Sequence, residues 1–209
     1  MPLLGSSTVR IGSATPTAMW RGGVQIWTAT PQPTYLLRDT FTSLSAWNVP
    51  AGVTVTGGQM VLPYRTSYTE AVSKSRYDLT AACFEVQVVS AQTVSPYDAY
   101  MHIKSDTNNM VSIILSGGSM TGRVRNSGVA TNQALGAYNA TSRAFWRIRD
   151  GAGVFHFDAS PDGVTWTLLG QVTRTWEPTS CTVAIEASAW QAAAAANLVV
   201  DNANVVRYP

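Results

Sequence analysis

Tyr100, His102 and Lys104 occupy every second position of one run, and Arg123 and Arg125 do the same in another. Successive side chains of an extended strand point to opposite faces, so each set lies opposite its apolar neighbours Met101, Ile103 and Val124. If the two runs stand in one sheet, aromatic and cationic groups emerge on the same side. Tyrosine offers a flat face for stacking on a sugar ring, and arginines donate paired hydrogen bonds to anionic oxygens. The chemistry expected of Tyr100, His102, Lys104, Arg123 and Arg125 is therefore glycan binding, with a sugar bearing acidic groups favoured. An ordinary solvated sheet face is the plainer account of the same residues, because most outward polar side chains carry no function.

Catalysis is not expected, and no catalytic residue is assigned. Glycoside cleavage needs two carboxyl groups roughly 5 to 10 Å apart. The glutamates are Glu70, Glu85, Glu177 and Glu186. Of these, Glu85 and Glu186 have outward parity and could meet across a sheet, although such pairs are commonly solvated or bonded to an arginine. His102 and His156 have no motif that brings a serine or cysteine nucleophile within reach. Asp158-Ala-Ser160-Pro-Asp162-Gly163 opens with the spacing of a calcium loop, but the closing position that needs glutamate holds Leu169. Cysteine and histidine are too few for a zinc site. No metal and no cofactor is expected. Cys83 and Cys181 have opposite strand parity, which favours free thiols over a disulfide.

These residues need strands to position them. The segment 145–169 reads as a three-stranded meander: Trp146 and Ile148 alternate with Arg147 and Arg149, and Phe155 and Phe157 alternate with His156 and Asp158. Asp150-Gly151-Ala152-Gly153 and Ser160-Pro161-Asp162-Gly163 supply the two turns. Trp146, Ile148, Phe155, Phe157 and Trp166 are expected in the core. Further short runs at 36–41, 53–56, 59–62, 68–73, 83–89, 99–104, 111–115, 120–125, 182–188 and 198–207 have the spacing of an all-β sandwich. Residues 127–143 read as a polar loop with one short strand, and the alanine run after Trp190 as a loop or a single turn.

Residues 1–34 differ from the rest. Gly22-Gly23 separates two apolar runs, a strong hairpin signal, and a stiff Pro-containing linker follows. So small a hairpin cannot bury enough surface by itself, so Trp20, Val24, Ile26 and Trp27 are expected to form an attachment or oligomer interface, with a homotrimer favoured. The organisation expected is a hairpin module over residues 1–34 and a β-sandwich over 35–209. Fourteen basic against twelve acidic residues give a net charge of +2, which argues against nucleic acid as a partner. No run is long and apolar enough for a membrane span, and the first residues lack the pattern of a secretory signal; cytoplasmic synthesis without membrane insertion is expected.

Two resemblances extend this reading. The Trp146-Arg-Ile-Arg149 strand, the aromatic strand and Ser160-Pro-Asp-Gly163 with Trp166 resemble a signature of concanavalin A-like (laminin-G-like, lectin/glucanase) β-sandwich domains. Asp39-Thr-Phe41, Trp47, Gly57-Gly58-Gln59 and Leu198-Val-Val-Asp201-Asn202 extend that likeness over residues 35–209. It implies an antiparallel jelly-roll sandwich. The Glu-x-Asp-x-(x)-Glu strand that glucanases of this fold carry is missing. Ile11-Gly12, Trp20-Arg-Gly-Gly23 and Val24-Gln-Ile-Trp27 are similar to the opening of minor tail proteins of long-tailed phages of actinobacterial hosts. That similarity implies a virion protein, partnered by other tail proteins, that displays a lectin-like domain toward a host cell-wall glycan. A purely structural or decoration role in tail or capsid, and a carbohydrate-active enzyme, are the alternatives.

Overall fold

In a computed structural model of the protein, residues 31–205 are described in full, and residues 18–21 and 24–28 by their backbone. The chain divides into two compact units, Met1–Pro31 and Gln32–Pro209. In the first, β1 (Ala18–Arg21) and β2 (Val24–Thr28) pair antiparallel, with an irregularity between Met19 and Trp20. This is the expected hairpin. The side chains of Trp20, Val24, Ile26 and Trp27 lie outside the described part.

The second unit contains β3 (Gln32–Pro33), β4 (Trp47–Asn48), β5 (Thr54–Thr56), β6 (Gln59–Pro63), β7 (Thr69–Ser73) and β8 (Tyr77–Asp78). After these come β9 (Cys83–Ser90), β10 (Tyr97–Lys104), β11 (Met110–Ser116), β12 (Ser119–Asn126), β13 (Val129–Ala137) and β14 (Phe145–Gly151). The remaining strands are β15 (Val154–Ser160), β16 (Thr167–Thr173), β17 (Thr182–Ala189) and β18 (Asn197–Asp201). A first seven-stranded sheet runs β13-β12-β11-β10-β17-β7-β4, and a second runs β16-β15-β14-β9-β18-β6-β5. Every pairing within them is antiparallel. The architecture is the expected all-β antiparallel sandwich.

Period-two alternation puts one face of each sheet inside. From the first sheet Met101, Ile103, Val111, Ile113, Val183 and Ile185 point inward; from the second Phe84, Val86, Trp146, Ile148, Phe155, Phe157 and Leu198 meet them, all essentially fully buried. Gly122 on β12 is inward too, because the Phe157 ring fills its place: a Cβ there would lie 2.5 Å from ring carbons. Near the edges, Gly170 of β16 packs on Gln133 and Leu135 of β13, where a Cβ would fall 2.8 Å from side-chain atoms. Cys83 and Cys181 are both buried with no disulfide between them; Cys83 begins β9 of the second sheet and Cys181 precedes β17 of the first, so they do not lie on opposite faces of one sheet as parity implied.

Three local expectations are corrected. Residues 127–143, read as a loop with one short strand, hold a nine-residue strand over Val129–Ala137. As an edge strand pairing on one side and largely solvated on the other, β13 needs few apolar residues, so its sequence shows little alternation. The segment 36–41 is not a strand. Its start lies in a 3-10 turn, Thr34–Leu36, and Asp39 then organises a turn by accepting from the Phe41 N–H at 2.7 Å and the Trp47 indole at 2.8 Å. The last run of the meander begins later than expected, at Thr167. Trp166 therefore sits in the turn, half-buried, with the Arg147 guanidinium 3.9 Å above its ring.

Candidate functional site

The outward face of the first sheet is read most easily in rows across the strands. One row is Glu70, Glu186, Tyr100, Ile114 and Thr121; the next is Val72, Ala184, His102, Ser112, Arg123 and Asn132. A third brings Lys104 beside Met110 and Arg125. Tyr100, His102, Lys104, Arg123 and Arg125 thus share one face, with β11 between the two sets.

The face is more acidic than the sequence reading allowed. β17 lies between β10 and β7, so Glu186 and Glu70 stand directly opposite one another on neighbouring strands. Lys104 reaches across β17 to form an ion pair with Glu70. Ala184, small and fully buried beneath this span, leaves room for it. His102 Nε2 lies 3.4 Å from Glu186 Oε2, and its Nδ1 shares a 2.8 Å hydrogen bond with Ser112 Oγ, which fixes the ring. Tyr100 stacks on His102 with ring centroids 5.1 Å apart, and its hydroxyl donates to Asp98 Oδ2 at 3.3 Å. Burial, reinforced by the Asp98 and Glu186 carboxylates, pushes that hydroxyl up to about 12.

The Glu70 and Glu186 side chains keep 16% and 18% of their surface, so the pair is held yet reachable by solvent. One oxygen from each, with a His102 ring nitrogen, lie within 4.8 Å of one another. Two carboxyls that cleave a glycoside through a covalent intermediate stand about 5 to 5.5 Å apart, so this pair is near enough to be compared with them. A divalent cation also accepts such donors, although Glu70 is already paired with the Lys104 ammonium.

Other expected residues have local partners. Arg123 Nε donates to Asn132 Oδ1 at 3.0 Å, and Arg125 Nη1 to the Thr107 carbonyl at 3.2 Å. Because Glu70 and Glu186 share the face and Glu70 pairs with Lys104, the excess of positive charge that favoured an acidic sugar is reduced. Glu85 does not meet Glu186: it lies on β9 of the second sheet, buried and opposite Arg147. Asp158 is a buried anchor, accepting from Arg147 Nε at 3.0 Å and Arg149 Nε at 2.8 Å. Asp162 holds its turn through the N–H groups of Val164 and Thr165. Sequence reasoning missed Glu70. Its parity within β7 was readable, but its place beside β17 was not.

No family model and no curated protein matches the chain. Solved structures do. A β-glucanase of Bacillus licheniformis superposes with a TM-score of 0.63 at 11% identity, over 80% of this chain and 95% of that one. The Crh5 transglycosylase in complex with NAG gives 0.64 at 12%, over 84% and 86%. A prokaryotic β-1,3-1,4-glucanase (lichenase) derived from a mouse hindgut metagenome gives 0.59 at 7%, over 78% and 94%. At these identities the likeness establishes the fold, the concanavalin A-like glucanase sandwich. It also corrects the expectation of a chain without catalysis. The solved neighbours named here are carbohydrate-active enzymes, so this fold does not exclude catalysis; the Glu-x-Asp-x-(x)-Glu strand is still missing, and Glu186 faces Glu70 on the adjacent strand instead of Glu85.

Proposed function

We propose that the sandwich is a carbohydrate-active domain that cleaves or transfers a glycosidic linkage between Glu70 and Glu186. The observation that carries this reading is the facing of the two carboxylates on adjacent strands of an outward sheet face, each beside a basic side chain. Glu70, paired with Lys104, is assigned the nucleophile and Glu186 the acid. It attacks the anomeric carbon while Glu186 gives its proton to the departing oxygen. The carbon–oxygen bond breaks and a Glu70–sugar ester forms. Water then attacks that carbon, Glu186 takes its proton, and the ester opens; a sugar hydroxyl in place of water gives transfer. His102, fixed by Ser112, positions the Glu186 carboxyl.

Incubation with a panel of polysaccharides, read as new reducing ends or altered chain length, tests this. Glu186→Gln and Glu70→Gln should each reduce turnover by at least about a hundredfold. Turnover unchanged in both variants sinks the assignment. The N-terminal resemblance supports placing this activity on a phage virion, directed at a cell-surface glycan. Immunogold labelling of assembled particles decides that placement, and absence of label from purified virions removes it.

A further inference from the structure

Glu70, His102 and Glu186 come from three adjacent strands of the first sheet, β7, β10 and β17, and each offers one ligand atom within 4.8 Å of the others. The imidazole is the fixed member. His102 is 7% exposed, its Nδ1 shares a 2.8 Å hydrogen bond with the hydroxyl of the buried Ser112, and the Tyr100 ring stacks against it. With Nδ1 engaged, the remaining ring nitrogen, Nε2, faces Glu186 Oε2 at 3.4 Å. A hydrogen bond to the second ring nitrogen is the arrangement that orients a metal-binding histidine. Neighbouring ligands around a tetrahedral ion, bound at about 2.0 to 2.1 Å, stand about 3.3 Å apart. His102 and Glu186 therefore already span one edge of such a site, and Glu70 completes a face of it by turning its carboxylate toward them.

Lys104 is the obstacle to an ion and also the means of testing for one. Its ammonium pairs with Glu70 and returns one positive charge to two carboxylates, whereas a divalent ion balances both. The Lys104 side chain is 19% exposed on a flexible four-carbon stem, so the ammonium can leave Glu70 for water. One histidine is enough because two carboxylates supply the other donors, which a count of cysteine and histidine passes over. Imidazole joined to carboxylates suits zinc and its transition-metal neighbours; calcium takes oxygen donors.

We infer that Glu70, His102 and Glu186 bind one zinc-class divalent ion, that Lys104 competes with it for Glu70, and that the bound ion closes the carboxylate pair to substrate. The site stands on the geometry of its three ligands. Inhibition rests in addition on the glycan-acting reading above, because an ion that holds both carboxylates leaves neither for attack or proton donation.

The test is calorimetric titration of the full chain with zinc chloride and, separately, calcium chloride. Zinc should bind once per chain with a Kd on the order of 10 μM, and calcium should not displace it. His102→Gln and Glu186→Gln should each weaken zinc at least about tenfold, and Ser112→Ala about tenfold through the orientation of the ring. Lys104→Met should tighten zinc about tenfold, and that gain should vanish when His102→Gln is added. No zinc binding at millimolar concentration, or binding that His102→Gln and Glu186→Gln leave unchanged, overturns the site. Equal or weaker binding in Lys104→Met overturns the competition. Melting curves accompany every variant; should His102→Gln fail to fold, Glu186→Gln and Lys104→Met decide, since both change side chains open to solvent. In the polysaccharide assay, saturating zinc should stop turnover and a chelator should restore it. Turnover that persists with zinc bound overturns inhibition, whereas a chain that binds zinc and turns over no polysaccharide sinks the catalytic reading and leaves the metal site standing.

Discussion

Gly122 and Phe157 meet across the sandwich with no space for another atom, so a methyl group at Gly122 must displace the ring. Gly122→Ala should cost about 1 to 3 kcal/mol by chemical denaturation. Phe157→Leu should cost less in that background than in the natural chain, since the smaller side chain gives the methyl room; fully additive losses would show that the two do not share one space. Tyr64 and Tyr100 make a second residue-scale point. Burial raises both hydroxyls from 10.0 to about 12. The folded chain therefore keeps protons that the unfolded chain releases from about pH 10 upward. Their contribution is fully present below that pH and is lost as pH rises toward 12. Melting temperatures measured from pH 9 to 12 should fall across this window, and less steeply in Tyr100→Phe; identical slopes would assign the loss to other groups.

Among the elements, the stretch after β18 holds more than its length implies. Asn204 is fully buried with φ of 51°, and its amide donates to the Thr34 carbonyl at 2.9 Å and the Leu37 carbonyl at 3.0 Å. Its side-chain oxygen accepts from the Glu85 N–H at 2.9 Å. Asn204→Ala should cost about 2 to 4 kcal/mol, read from denaturant midpoints, because buried backbone groups lose their partners. A loss under about 0.5 kcal/mol would show that water replaces the amide. Elements such as β14 and β15 were legible in sequence because they alternate cleanly and end in Gly-containing turns. β13 was not, because an edge strand satisfies its backbone on one side without an apolar stripe. The run from Leu36 to Phe41 misled for the converse reason: its residues pack on the core from a turn fixed by the Asp39 carboxylate, which propensity does not register.

At the scale of the molecule, composition and turn spacing were enough to read a sandwich, and parity was enough to put Tyr100, His102, Lys104, Arg123 and Arg125 on one face. Strand order was not readable, and the site depends on it. Glu70 and Glu186 lie far apart in the chain and meet because β17 inserts between β10 and β7. The same order governs how the protein comes into being on a ribosome. β17 is interior to one sheet, and β18 joins β9 to β6 within the other. Until both have emerged, the nascent chain carries two pairs of unsatisfied strand edges, at β10 and β7 and at β9 and β6, with inward apolar faces that have nothing to close over. Translation must run to Ala189 before the first sheet is whole and to Asp201 before the second is, so the newborn polypeptide is most prone to capture by its neighbours in the interval just before it becomes a sandwich.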